Sequence, residues 1–221
     1  MTTAASLESL TDRSRFEYLA TSALRKADPR YAAIIHTGVN AQGETIVAPV
    51  DGLHLIPYSN PQRYVFVQHT TTDRERLRGK WLSNKDGDML KAADMAKKVR
   101  QKQTDAVFTV VLTTNQRVAA QLAIDVYARA RAEQVTVDIW DQSRLADFLG
   151  TTADGQWLRW LYLGIEAERL SADLLHQLGR RSLELYRREV LLPGQGPLVH
   201  RSLTESILAH ALPGGAGLCW S

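Results

Sequence analysis

The chain has 221 residues, of which 44% are hydrophobic and 23% are charged. This balance is typical of a folded globular protein and excludes a disordered chain, a collagen-like fibre and a coiled-coil rod. No stretch approaches the roughly 18 apolar residues of a transmembrane helix, and the N-terminus lacks the basic and apolar regions of a signal peptide. The one cysteine, Cys219, excludes an internal disulfide and a cysteine zinc cage, so we expect an intracellular protein. The net charge of +3 permits a nucleic-acid partner without indicating one, because such binding depends on clustered positive charge.

The first half of the chain predicts a helix, several short strands and two further helices. Apolar residues at helical spacing predict the first helix over Leu7–Ala27, which Asp28-Pro29 ends. The β-rich runs that follow, between turn residues, are Tyr31–Thr37, Thr45–Val50, Gly52–Tyr58 and the clearest strand, Tyr64–Gln68. Two polar helical stretches come next, Asp73–Leu82 and Asp88–Gln103.

The second half alternates between strand and helix. Ala106–Leu112 is continuously apolar, as expected of a strand covered on both faces. An alanine-rich helix over Gln116–Glu133 and a strand over Val135–Trp140 follow, and this order predicts a right-handed crossover in an at least partly parallel sheet. The remaining predicted elements are all helices: Ser143–Leu149, Gln156–Ile165 and Ser171–Leu191.

Three regions are expected from these patterns. They are a domain over residues 1–150, a helical connector over 151–192, and a linker with the start of a further domain over 193–221. Pro193-Gly194-Gln195-Gly196-Pro197 has the composition of a linker. The apolar character resumes at the end of the chain, up to Ser221, so we expect this sequence to be the front piece of a longer protein.

One group of residues could carry chemistry. Glu17 lies on the first predicted helix, Asp51 lies between two early β-runs, and Gln68-His69-Thr70 ends the strongest early strand. If those strands are neighbours, Asp51 and the Gln68–Thr70 segment meet at one end of the sheet. Hard oxygen donors of this kind suit Mg²⁺, and such an ion can activate water and neutralise charge on a scissile phosphate. A solvent-facing Glu17 and an ordinary Asp-Gly turn at Asp51-Gly52 are the alternative interpretation.

The order of these motifs resembles a known family. Phe16-Glu17 on a helix, Val50-Asp51-Gly52 on a hairpin and Val65-Phe66-Val67-Gln68-His69-Thr70 on a strand resemble the restriction-endonuclease-like (PD-(D/E)xK, Mrr-like) nuclease superfamily. The succession of helix, three strands, helix, strand, helix and strand is similar to its core over roughly residues 10 to 150. Residues 137–149 and 155–159 are similar to the nuclease-like N-terminal regions of bacterial antiphage STAND NTPases of the Avs type. In that family a nucleotide-binding module would follow this region.

The resemblance implies a role for each matching residue. Asp51 is the principal metal ligand, Glu17 is the helix-borne acid, and Gln68 is the first residue of the (D/E)xK element, where its carbonyl oxygen still binds Mg²⁺ or Mn²⁺. Thr70 stands where the family has its catalytic lysine. Because that cation can migrate to the following helix in this superfamily, Lys80 is the first candidate for it.

Lys85 is the second candidate for the displaced cation. The polar segment Thr70–Arg78 offers hydroxyls and arginines that suit phosphate contacts without base readout. The basic stretch from Lys91 to Lys102 is interpreted as a solvated helix face.

The combined expectation is an α/β protein with a restriction-endonuclease-like mixed sheet flanked by helices and a C-terminal helical connector. Its function would be that of a metal-dependent DNA endonuclease of little sequence specificity, the effector of a larger, homo-oligomeric antiphage protein with no membrane partner. The alternative is a catalytically silent module of the same fold that binds DNA or mediates oligomerisation, which Thr70 favours and the acids at positions 17 and 51 disfavour. A small-molecule-binding α/β domain is less favoured, because no glycine-rich loop follows a strand.

Overall fold

The computed structural model describes residues 2–37, 48–166, 176, 177 and 179–184. The chain divides into two compact units, Met1–Ala167 and Glu168–Ser221. In the second unit the described residues are helical, in agreement with the helix predicted over Ser171–Leu191. The rest of that helix and the predicted linker lie outside the described residues.

The described part of the first unit alternates helices and strands along the chain. Its helices are α1 (Thr3–Glu8), α2 (Arg13–Ala27), α3 (Arg74–Leu82), α4 (Asp88–Arg100), α5 (Ala120–Ala132), α6 (Gln142–Thr151) and α7 (Ala153–Leu163). Its strands are β1 (Ile35–His36), β2 (Gly52–Ile56), β3 (Arg63–Thr70), β4 (Val107–Thr114) and β5 (Thr136–Trp140). None of these helices is long and apolar enough to cross a membrane.

The five strands form one mixed sheet in the order β1-β2-β3-β4-β5. The pairs β1–β2 and β2–β3 are antiparallel, whereas β3–β4 and β4–β5 are parallel. Gly52 is opposite Val67, and Val67 is opposite Val111 in the next strand. The parallel sheet expected from the second half of the sequence is therefore confirmed.

Helices cover both faces of the sheet and create two cores. Successive side chains of a strand point to opposite faces, so Val65 and Val67 of β3 pack with α2, α6 and α7, while Phe66 packs with α3, α4 and α5. The resulting three layers, helices on a mixed sheet on helices, confirm the predicted α/β class. Because both faces of β3 are covered, a polar side chain near its carboxyl end is withdrawn from water.

The first predicted helix is wrong over Ser9–Asp12, where a non-helical segment separates α1 from α2. Asp12 is the N-cap of α2, and its carboxylate accepts the backbone N–H of Arg15 at 3.0 Å. This cap satisfies a backbone donor that the continuous helix would have bonded internally. Arg13 therefore becomes the first residue of α2, which determines its position beside the site described below.

Two other boundaries differ for tertiary reasons. The helix predicted from Gln116 begins only at Ala120, because the preceding segment is bonded to the turn before α6: Gln142 N–H donates to Gln116 O, and Val118 N–H donates to Asp141. Among the early β-runs, Tyr31–Thr37 contributes only the short β1, and residues 48–50 are not a strand. Residues 45–47 of the run Thr45–Val50 lie outside the described chain.

The first unit continues past residue 150, where the sequence analysis began the connector. Helix α7 packs on α2 and α6, and its Leu158 is buried in the same core as Leu19 and Val67. The helix therefore completes one layer of this unit, which extends to Ala167.

Candidate functional site

Asp51 anchors the site at the end of the antiparallel part of the sheet. Strand β3 extends past Val67, which is opposite Gly52 at the start of β2, so His69 N–H lacks a strand partner on that side. The Asp51 carboxylate takes the place of the missing strand partner, and its Oδ2 accepts the His69 N–H at 2.7 Å. The expectation that Asp51 and the Gln68–Thr70 segment meet at one end of the sheet is confirmed.

Close packing beside Asp51 depends on Gly52, which begins β2 and does not form a turn. A Cβ at Gly52 would lie 3.0 Å from Cγ2 of Ile34 and 3.2 Å from Cβ of Val67. The absence of a side chain lets these two residues close over the strand. The neighbouring Asp51 carboxylate is only 5% exposed.

Glu17 is brought to Asp51 by the first turns of α2. Its side chain is fully buried, and Arg13 Nε donates to Oε1 at 2.7 Å. Arg13 Nη2 donates to Asp51 Oδ1 at 3.2 Å, so one guanidinium bridges both carboxylates. The second oxygen, Oε2 of Glu17, has no hydrogen-bond partner among the described residues. The interpretation of Glu17 as a solvent-facing helical residue is therefore wrong.

The proton affinity of both acids reflects this environment. Burial, and then the negative charge of Asp51, raise the pKa of Glu17 from 4.5 to about 7, against the opposing effects of Arg13 and Lys80. Burial also raises the pKa of Asp51, although the His69 N–H and the charges of Arg13, Lys80 and Lys91 oppose it. Burial thus favours the protonated forms of both acids, and when both are ionised the one shared arginine compensates only half of their charge.

Gln68 and Thr70 lie beside Asp51 but provide no charge. The Gln68 carboxamide nitrogen donates to the carbonyl of Pro49 at 2.8 Å, which ties β3 to the segment that precedes Asp51. Thr70 is buried, and its hydroxyl donates to Thr72 Oγ1 at 2.8 Å. The cations that act on the acids come from other elements.

Lys80 of α3 is one of these cations. Its ammonium lies 2.9 Å from Oδ1 of Asp88, the first residue of α4. Gly87 is required in the tight turn between the two helices, because a Cβ at that position would lie 2.5 Å from the carbonyl oxygen of Ser83. Lys85 is exposed in the turn between the two helices, and its charge acts on the neighbouring Asp86.

Asp88 and Arg13 are the two members of this group that the sequence analysis missed. Asp88 is 1% exposed, and burial raises its pKa while Lys80 and Lys91 oppose the rise. The sequence offered only weak signals for them. Arg13 has the i,i+4 spacing to Glu17 that allows a helical ion pair, and Asp88 follows a glycine at a helix start, a favoured place for an acid.

The buried histidine of β3, His69, has a structural role. His69 Nε2 is hydrogen-bonded to Thr21 at 2.9 Å and Nδ1 to Thr113 at 2.6 Å. Complete burial, followed by the charges of His36 and Arg13, lowers the pKa of His69 to about 3. The ring is therefore neutral and joins α2, β3 and β4.

The donor set fits a hard divalent cation. Among the residues that the structure describes, no group of three or more His, Cys, Asp and Glu side chains is arranged to hold a metal ion. Mg²⁺, however, binds through one or two carboxylates and retains several waters. Glu17 and Asp51 are such a pair, with one buried Glu17 oxygen lacking a hydrogen bond.

Helices α3 and α4 also carry exposed cations. Arg74 and Arg76 are exposed on α3, whereas Arg78 is ion-paired with Asp125 of α5. In the second basic stretch, Lys91 lies 4.0 Å from Asp88. Lys97 instead pairs with Glu133 at 2.9 Å, away from the acids of the site. Both lysine side chains are exposed, so the interpretation of this stretch as a solvated helix face is confirmed at Lys91 and Lys97.

Comparison with family models and with curated proteins identified no match. No protein-family model matches the sequence, and no curated protein matches it significantly. Functional assignment depends on the geometry of the site itself.

Proposed function

We propose that this chain is a metal-dependent DNA endonuclease domain with little sequence specificity, the intracellular effector of a larger antiphage defence protein. The observation that carries the proposal is the pair of buried carboxylates, Glu17 and Asp51, bridged by Arg13 at the end of β3. Two acids held together with less than full charge compensation are suited to bind a divalent cation. The order of helix, strands and helices around this pair agrees with the nuclease resemblance of the sequence.

Each residue has a separate task in this proposal. Asp51, Glu17 and the Gln68 carboxamide hold Mg²⁺ or Mn²⁺, and Asp51 is fixed in place by the His69 N–H. When bound, the ion supplies Lewis-acid activation of water and of the phosphodiester. Lys80 supplies positive charge beside the phosphate in the transition state, a role that Thr70 cannot fill. Support for Lys80 comes from its charge, which opposes the rise in the pKa of both Glu17 and Asp51.

The DNA contacts in this proposal are made to the backbone. Arg74 and Arg76 are exposed on the helix that also carries Lys80. Arginines at such positions bind phosphate oxygens and do not read base edges. Binding should therefore weaken steeply as salt rises, with little dependence on sequence.

Plasmid nicking and linearisation test the enzymatic proposal. The 221-residue chain, free and fused to a forced oligomer, is incubated with supercoiled plasmid and Mg²⁺ or Mn²⁺, beside Asp51→Ala and a matched Asp94→Ala control. Asp94 is an exposed aspartate of α4, so its loss should leave cleavage unchanged. Metal-dependent cleavage that Asp51→Ala abolishes is the expected result.

A catalytically silent module that binds DNA or mediates oligomerisation is the second candidate. Two observations favour it: Thr70 lies at the usual lysine position, and Lys80 is ion-paired with Asp88. Folded protein that binds plasmid in a gel-shift experiment but cleaves it in neither format would support this candidate and overturn the endonuclease.

A further inference from the structure

Arg13 covers the two buried acids from the solvent side. Its side chain is 44% exposed, whereas those of Glu17 and Asp51 are 0% and 5% exposed. The guanidinium reaches one oxygen of each carboxylate, Oε1 of Glu17 and Oδ1 of Asp51. It therefore lies where a cation bound to both acids from solvent would have to approach.

A single arginine compensates this pair only in part. When both carboxylates are ionised they carry two negative charges against the one positive charge of the guanidinium, so a divalent cation would balance the ionised pair more fully. Oε2 of Glu17 is buried and has no hydrogen-bond partner among the described residues. It is therefore a further oxygen ligand for a cation, one that Arg13 does not use.

Arg13 is free to leave without disturbing the core. It is the first residue of α2, it follows the N-cap Asp12, and it is exposed at the start of the helix. The core side chains of this helix begin at Phe16 and Glu17. Rotation of the Arg13 side chain into solvent would break two hydrogen bonds and no apolar packing of the core cluster.

We propose that Arg13 is the resident counter-ion of this site and competes with a divalent cation for the carboxylates of Glu17 and Asp51. Cation binding displaces the guanidinium into solvent, and Arg13 thereby raises the cation concentration at which the site fills. The inference rests on the proposed function, because it uses the same carboxylates as ligands.

Mn²⁺ binding to the 221-residue chain, measured by isothermal titration calorimetry, tests this competition. Arg13→Gln should bind Mn²⁺ at least about tenfold more tightly than wild type, because the competing charge is gone. Arg13→Lys, which keeps the charge but cannot bridge both acids, should be intermediate. Arg15→Gln, which removes an exposed arginine from the same helix, should match wild type, and Asp51→Asn should bind least.

The outcomes separate this inference from the endonuclease proposal. Equal or weaker Mn²⁺ binding by folded Arg13→Gln would overturn the competition and leave the metal site intact. No binding by any folded variant would overturn both the competition and the metal-dependent function.

A measurement on wild-type protein keeps the test independent of how the variants fold. The Arg13 Nε–H, held by Glu17 at 2.7 Å, gives an NMR resonance that can be followed during titration with diamagnetic Mg²⁺. Displacement should shift this resonance and accelerate its exchange with water. An unchanged Arg13 resonance when Mg²⁺ has saturated the site would contradict the proposal.

Discussion

The ammonium of Lys80 lies 2.9 Å from the carboxylate of Asp88, so that a partly exposed cation of α3 compensates a nearly buried acid at the start of α4. The two side chains are 29% and 1% exposed. Burial raises the pKa of Asp88, and the charge of Lys80 opposes this rise. The pair therefore links the stability of the α3–α4 unit to Lys80, the cation to which the proposed function assigns a catalytic role.

Replacement of Lys80 should destabilise the fold more than replacement of Lys85. Lys80→Ala leaves Asp88 buried without its nearest cation, which we expect to lower the free energy of unfolding by about 1–3 kcal/mol. The loss should be smaller at acid pH, where Asp88 can take up a proton. Lys85→Ala, in the exposed turn, should change the value by less than about 0.5 kcal/mol. Urea unfolding at two pH values measures the difference, and equal effects of the two variants would contradict the pairing.

The pH dependence of stability should report the burial of Glu17. Its pKa is raised from 4.5 to about 7, first by burial and then by Asp51, with Arg13 and Lys80 opposing. At Glu17 the folded state therefore binds more protons than the unfolded state between these values, so the contribution of Glu17 to the free energy of unfolding should fall as pH rises through this window. Buried His69, whose pKa is lowered to about 3, contributes in the opposite direction below pH 6.5, so the Glu17 contribution is read from the difference between wild type and Glu17→Gln. The fall should be at most about 3 kcal/mol.

Glu17→Gln should remove most of that fall. Urea unfolding from pH 4 to 8 in a chelator measures it, with the exposed Glu75→Gln as the matched control. Asp51 should leave a smaller decline of the same sign, because its pKa is also raised by burial. If the free energy of unfolding of Glu17→Gln varied with pH in parallel with that of wild type, burial would not raise the pKa of Glu17.

Two substitutions of Asp51 should separate its structural role from its charge. Asp51→Ala leaves the buried His69 N–H without an acceptor, so we expect a loss of about 1–3 kcal/mol in the free energy of unfolding. Asp51→Asn retains an oxygen acceptor and should lose less stability, although it removes the charge that binds a cation. Hydrogen exchange of the His69 amide should be accelerated in Asp51→Ala alone. Similar exchange in both variants would mean that the carboxylate does not hold this amide.

Replacement of glycine by alanine should have opposite effects on stability at Gly52 and Gly79. Gly52→Ala places a Cβ 3.0 Å from Ile34 and 3.2 Å from Val67, so it should destabilise the protein by about 1–3 kcal/mol. Gly79→Ala adds a methyl group in helix α3 where no atom lies within 4 Å, and it should stabilise by up to about 1 kcal/mol. Thermal unfolding of both variants measures the pair. A neutral Gly52→Ala would contradict the close packing beside Asp51.

Strand and helix types were predictable where apolar periodicity is strong. Tyr64–Gln68 and Ala106–Leu112 are apolar runs that became β3 and β4, because a strand covered on both faces must be apolar along its length. Boundaries were less predictable. The start of α5 depends on hydrogen bonds from Gln142 and Val118 to groups distant in sequence. Such bonds cannot be inferred from local helix propensity.

Sequence order alone brought together Asp51 and the end of β3, since adjacent strands of a hairpin must meet. It also supplied Glu17 through a family resemblance. The partners that determine the charge of this site, Arg13 bridging two acids and Asp88 holding Lys80, were decided only by the tertiary structure. Burial and proximity set both the proton affinity of a carboxylate and the cation that compensates it, and these arise when separate helices and strands pack together.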